Sequence, residues 1–120
     1  MSSSRDLSKA LKFIDKTLTN TAATGTVTLD LSLYNVFDLT LAGNTTLVFS
    51  NAPALSGETY AFLVIIRQGT TAFTLTLPGS VTPVTSGGAA VPTPGASKRA
   101  DFIFSTKNGT AFDVRAGAAT

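Results

Sequence analysis

The sequence predicts an all-β fold: a small antiparallel β-sandwich of jelly-roll type, with seven or eight strands behind a short N-terminal arm. Three observations predict it. Apolar and small polar residues alternate through most of the chain after Thr26, the period of a strand with one buried face. Gly, Asn and Pro interrupt that alternation where turns are needed. The polar positions are mostly uncharged: the 120 residues include twenty threonines, and only 13 % are charged against ~25 % in an ordinary globular domain. A chain of this length makes one domain at the low end of what buries a core alone, so assembly with copies would help it.

The arm comes first. Leu7, Leu11, Ile14 and Leu18 fall at heptad spacing, and Ser3 with Asp6 forms a capping box. This predicts a helix over residues 4–11. Residues 12–20 stay open between helix and strand, because residues 13–19 also alternate as a short strand. Residues 19–25, rich in Thr, Ala, Asn and Gly, read as a linker. The division is therefore an arm over residues 1–20 and a sandwich domain over residues 21–120.

In the body, Val27, Leu29, Leu31 and Leu33 alternate with Thr28, Asp30 and Ser32, and a tight connection at Tyr34-Asn35 follows. Phe37, Leu39 and Leu41 continue the alternation to a turn at Ala42-Gly43-Asn44, and Leu47 and Phe49 point inward from the next strand. Residues 51–58 read as a loop. Residues 59–68 are apolar on both faces, with Tyr60, Phe62, Val64 and Ile66 on one and Ala61, Leu63 and Ile65 on the other. Such a strand is central, or is covered on one side by another subunit. A turn at Gln68-Gly69-Thr70 leads to Phe73, Leu75 and Leu77. Residues 78–99 hold four of the five prolines and read as a long exposed loop. Asn108-Gly109 between two alternating runs predicts a closing hairpin.

Composition narrows the chemistry. With no His and no Cys, Ser-His-Asp and Cys-His nucleophilic sites, Cys/His zinc and disulfides are excluded. Asp30 and Asp38 share a parity on successive strands and are the best carboxylate pair for glycosidase work, but they read as solvated positions on a sheet face. No Asp-x-Asp-x-Asp cluster suits calcium, and no glycine sits in a strand-to-helix phosphate loop. The expectation is no enzyme and no cofactor. The longest apolar run, residues 61–66, is too short for a spanning helix, so no membrane insertion is expected. The first residues lack a signal-peptide layout, so the chain is expected to be made in a cytosol and to leave it only by another route, such as inside a particle. Residues 1–20 carry four basic and two acidic groups, while the rest is balanced. That +2 excess is too weak for nucleic acid; it reads either as an ordinary solvated basic segment or as an arm that docks on an acidic partner. Tyr34, Tyr60, Phe73 and Phe112 would serve either as core or as a sugar-stacking face, with Tyr34 the one placed in a turn. Arg67 and Arg115 read as rim residues or as intersubunit partners of a carboxylate.

One resemblance adds to this reading. Residues 25–32 (Gly25-Thr-Val-Thr-Leu-Asp-Leu-Ser) lead into residues 35–53, which open Asn35-Val-Phe-Asp-Leu-Thr-Leu and end Phe49-Ser-Asn-Ala-Pro. With Tyr60-Ala-Phe-Leu-Val-Ile-Ile-Arg-Gln, residues 73–78, Asp101-Phe-Ile-Phe, Asn108-Gly-Thr and Gly117, they resemble a module of tailed-bacteriophage virion surface proteins, of tail-fibre and capsid decoration type. The resemblance implies a small trimeric β-sandwich without cofactor, located in the virion after synthesis in the host cytoplasm. The role expected is a trimeric capsid decoration (cement) protein, attached through arm contacts at Arg5, Leu7, Lys9, Leu11, Lys12, Ile14 and Lys16. Tyr60, Phe62, Val64, Ile66 and Arg67 are the expected trimer interface. The alternative is a neck or tail-fibre protein with a lectin-like receptor-binding role, in which Tyr34, Lys98 and Arg99 would contact a host surface glycan.

Overall fold

The computed structural model describes residues 16–85 and 90–116. Seven strands build one sheet: β1 (Thr17–Asp30), β2 (Val36–Ser50), β3 (Tyr60–Gln68), β4 (Leu75–Thr76), β5 (Val81–Pro83), β6 (Arg99–Thr106) and β7 (Phe112–Ala116). No helix occurs among the described residues. The order across the sheet is β1-β2-β3-β6-β7-β5, with β4 beside the second half of β2. The expected helix over residues 4–11 lies outside the described residues.

The antiparallel pairing expected throughout is corrected. β1 with β2, β2 with β3, β2 with β4, and β5 with β7 are parallel; only β3 with β6 and β6 with β7 are antiparallel. A jelly-roll is an antiparallel architecture, so this pairing departs from the expected order. The reason lies in how the chain turns. Thr17 pairs with Val36 and Asp30 with Ser50, yet only five residues separate β1 from β2. Six steps of chain reach at most ~22 Å, whereas fourteen residues in a straight strand span about 43 Å from first to last. β1 must therefore bend back on itself. It does so at the register shifts between Asn20 and Gly25, the stretch read as a linker, which is a corner inside a continuous strand. β2 turns above it at Gly43, where an added Cβ would collide with the Thr24 hydroxyl. The expected Ala42-Gly43-Asn44 turn is thus a second corner stacked on the first. Residues 17–20 belong to the sheet, which places that part of the open 12–20 stretch as strand.

The chain accordingly winds in coils. Each coil has a first leg (17–20, 36–41, 60–68) and a second leg (26–30, 45–50, 75–76), and corresponding legs stack in parallel. β6 and β7 extend the first-leg layer as a hairpin. Inward residues from the two layers meet in one core. Leu18, Phe37, Val64 and Phe102 form one continuous row across four strands, and Leu39, Ile66 and Ala100 form the next. Phe49 comes from the second-leg layer and places its ring 5.1 Å from Phe62, 5.2 Å from Phe104 and 4.9 Å from Phe112. Phe62 and Phe104, register partners, stack at 5.1 Å. Edge-on and offset ring packing of this kind adds to simple area burial.

The segment before β6 is tied down by Gln68. Its buried side chain donates to the carbonyls of Phe73 (2.8 Å) and Pro94 (3.3 Å) and accepts from Phe73 N (3.1 Å). What the sequence presented as one long loop over residues 78–99 contains β5, which pairs with β7.

Candidate interaction surface

The register of β3 decides which of its two apolar faces is free. Phe62, Val64 and Ile66 are 3 %, 0 % and 0 % exposed, enclosed by the single chain. Tyr60 is half-buried, and its hydroxyl donates to the Leu31 carbonyl at 3.2 Å. The expected trimer interface is therefore corrected at Phe62, Val64 and Ile66: a side chain enclosed in its own core has no surface left for a second copy, whereas Tyr60 keeps part of its surface. Opposite parity supplies the outward face. Ala61, Leu63 and Ile65 lie there, beside Val36 of β2 and Ile103 of β6. Ile103 is 48 % exposed. A shallow depression of about 270 Å³ opens among Val36, Ala61, Leu63 and Ile103.

Charged side chains border this apolar centre. Register sets them in order: Asp38, Ile65 and Asp101 share one level, with Thr40, Arg67 and Arg99 on the next. Arg67 Nε donates to Asp38 Oδ1 at 2.8 Å and Nη2 to Oδ2 at 3.2 Å. This forked contact with Asp38 holds the guanidinium more firmly charged than usual. Of its two expected readings, rim residue or intersubunit partner of a carboxylate, Arg67 fits the rim, since it finds its carboxylate inside its own chain. Exposed pairs contribute only about 0–1 kcal/mol, so the gain is mainly in orientation. Arg99 Nε lies 3.4 Å from Asp101 Oδ1 without hydrogen-bond geometry, and that oxygen is buried and accepts no hydrogen bond. On β7, Arg115 donates to the Ser105 hydroxyl at 3.3 Å.

Comparison with family models, curated proteins and solved structures finds no match.

The other expected positions are scattered. Lys16 is the only one of the expected arm contacts among the described residues. It sits at the mouth of β1, with its N–H on Asn35 Oδ1 at 3.0 Å and its carbonyl accepting from Asn35 and Val36. Arg5, Leu7, Lys9, Leu11, Lys12 and Ile14 lie outside the described residues. Tyr34 is half-buried beside Lys16, its ring edge-on to Phe37 at 6.1 Å, and it borders a depression of about 320 Å³ with Ser32, Leu33 and Tyr60. Lys98 and Arg99 lie away from that corner, Lys98 exposed in the loop and Arg99 opening β6. Register makes Arg99 a neighbour of Arg67, so the structure does not bring Tyr34, Lys98 and Arg99 into one contact surface. Asp30 and Asp38 sit on different legs, each with its own partner, Ser32 and Arg67. No group of three metal-binding side chains occurs among the described residues.

Sequence reasoning missed Leu63, Ile65 and Ile103 as surface residues. Parity alone does not say which face of a doubly apolar strand turns inward. Arg67 carried the signal, because a charged side chain shares the parity of residues 61, 63 and 65.

Proposed function

We propose that this chain is a structural protein of a tailed-bacteriophage virion, a trimeric capsid decoration protein held to the particle by its N-terminal arms, without enzymatic activity. The observation that carries the reading is the apolar outward side of β3, where half-buried Leu63 and Ile65 lie beside exposed Ala61 and Ile103 and are bordered by charges, on a body with no group of three metal-binding side chains among the described residues. The resemblance carried by residues 25–53 supplies the virion setting. In this reading the curled two-layer sheet is the small sandwich-like body of the trimer. The arms, one per copy, act by multivalency: three weak contacts on one rigid body raise each other's effective concentration.

Deleting residues 1–15 tests the attachment. The truncated protein is expected to keep its fold and oligomeric state and to be missing from imaged particles that the full chain decorates. Decoration at wild-type occupancy without residues 1–15 would sink the arm model.

A further inference from the structure

We infer that the copies meet through the outward first-leg face, with Leu63, Ile65 and Ile103 at the centre of the contact, and that the occupant of this face is a second copy of the same chain. The inference rests on the trimeric reading above and specifies its interface. Two observations select a copy over a foreign partner. The first is charge balance. The rim holds Asp38, Asp101 and Asp113 against Arg67, Arg99 and Arg115, three of each sign, all on the outward parity of the same layer. A partner of one dominant sign would meet repulsion along half of that border, whereas another copy carries both signs in equal number. The second is anatomy: an apolar centre inside a charged rim is how protein interfaces are laid out.

Four strands ~4.8 Å apart and seven residues of ~3.3 Å rise give a face of about 440 Å². That is less than the ~800 Å² each partner buries in a stable two-body contact, so the number of copies comes from the trimeric reading above and not from this area.

Mass measurement in solution at micromolar concentration tests this, with Ile103→Arg as the disrupting variant and Thr46→Arg, on the second-leg layer, as the control. Wild type and Thr46→Arg are expected at three times the chain mass, and Ile103→Arg at the chain mass with an unchanged circular dichroism spectrum. The chain contains no cysteine, so Ile103→Cys gives a second readout that tolerates a weakened fold. Mild oxidation should link its copies in pairs, and Thr46→Cys should stay unlinked. A trimeric wild type with a trimeric Ile103→Arg and an unlinked Ile103→Cys would overturn this interface while leaving the trimer standing. A monomeric wild type would overturn the trimeric reading itself.

Discussion

Asp30 closes the corner between the first two coils with one carboxylate. Its Oδ1 accepts from Ser32 N at 2.9 Å and from the Ser32 hydroxyl at 2.6 Å, and its carbonyl accepts from Leu33 and Tyr34. The Ser32 hydroxyl, helped by Asn51, holds the acid below its ordinary value of 3.8. A carboxylate with a lowered pKa stabilises the fold fully above its unfolded pKa, and that contribution is lost as pH falls through the lowered one. The gap in Tm between wild type and Asp30→Ala should therefore be constant near neutrality and shrink below pH 3.8; a gap that does not change with pH would refute the assignment. Gln68 is a different case, since all its bonds are interior. Gln68→Leu leaves the Phe73 N–H and the Pro94 carbonyl without their partner, at about 1–3 kcal/mol each for groups that stay buried, read as a lower urea midpoint. Gly109 has φ of 79°, and an added Cβ would strike the Pro53 carbonyl oxygen. Gly109→Ala should cost about 1–3 kcal/mol in the same assay, and a neutral result would mean that the loop after residue 50 moves aside freely.

At the scale of strands, alternation was legible and pairing was not. Phe37, Leu39, Leu41, Leu47, Phe62, Val64 and Ile66 are inward as their period requires, because a half-buried strand permits only one parity. The final hairpin was legible too: Asn108 Oδ1 accepts from Thr110 N and Ala111 N at 2.9 Å each, the side-chain-to-backbone closure that makes Asn a turn residue. Parallel pairing left no such mark. It depends on the corners near Asn20–Gly25 and Gly43, whose small residues look the same whether a chain ends a strand or bends one. Phe62 tests the two-layer packing, since its ring meets Phe37 and Phe49 from the two legs of β2 and Phe104 from β6. Phe62→Ala should cost about 3–5 kcal/mol; a loss below 1 kcal/mol would be incompatible with a common core between the layers.

For the whole molecule, the two layers present opposite characters to the outside. The first-leg layer turns out aliphatic side chains and six charges. The second-leg layer turns out mainly hydroxyls, with Thr26, Thr46 and Thr76 aligned across three rungs and all exposed, and Val48 the apolar exception among its described residues. This accounts for part of the sequence's twenty threonines and for its low charge. Thr suits a strand through its branched Cβ and keeps a face wet without Lys or Glu. The candidate surface was half legible: the sequence marked residues 59–68 as needing a cover, but the choice of face required the register of β6 against β3.

The winding of the chain also carries a time order. β1 and β2 pair at a separation of 18 to 20 residues, β2 and β3 at 27, whereas β3 and β6 pair at 32 to 46. Closing longer loops costs more entropy before any contact repays it. The early coils are thus the natural nucleus of the two-layer body; the β6–β7 hairpin, paired at only 6 to 14 residues, closes by itself, and its docking on β3 is the late seal. In stopped-flow refolding, Leu39→Ala should slow folding, while Val114→Ala should act mainly by speeding unfolding. A chain built this way grows from one end, each turn serving as the template on which the next is laid.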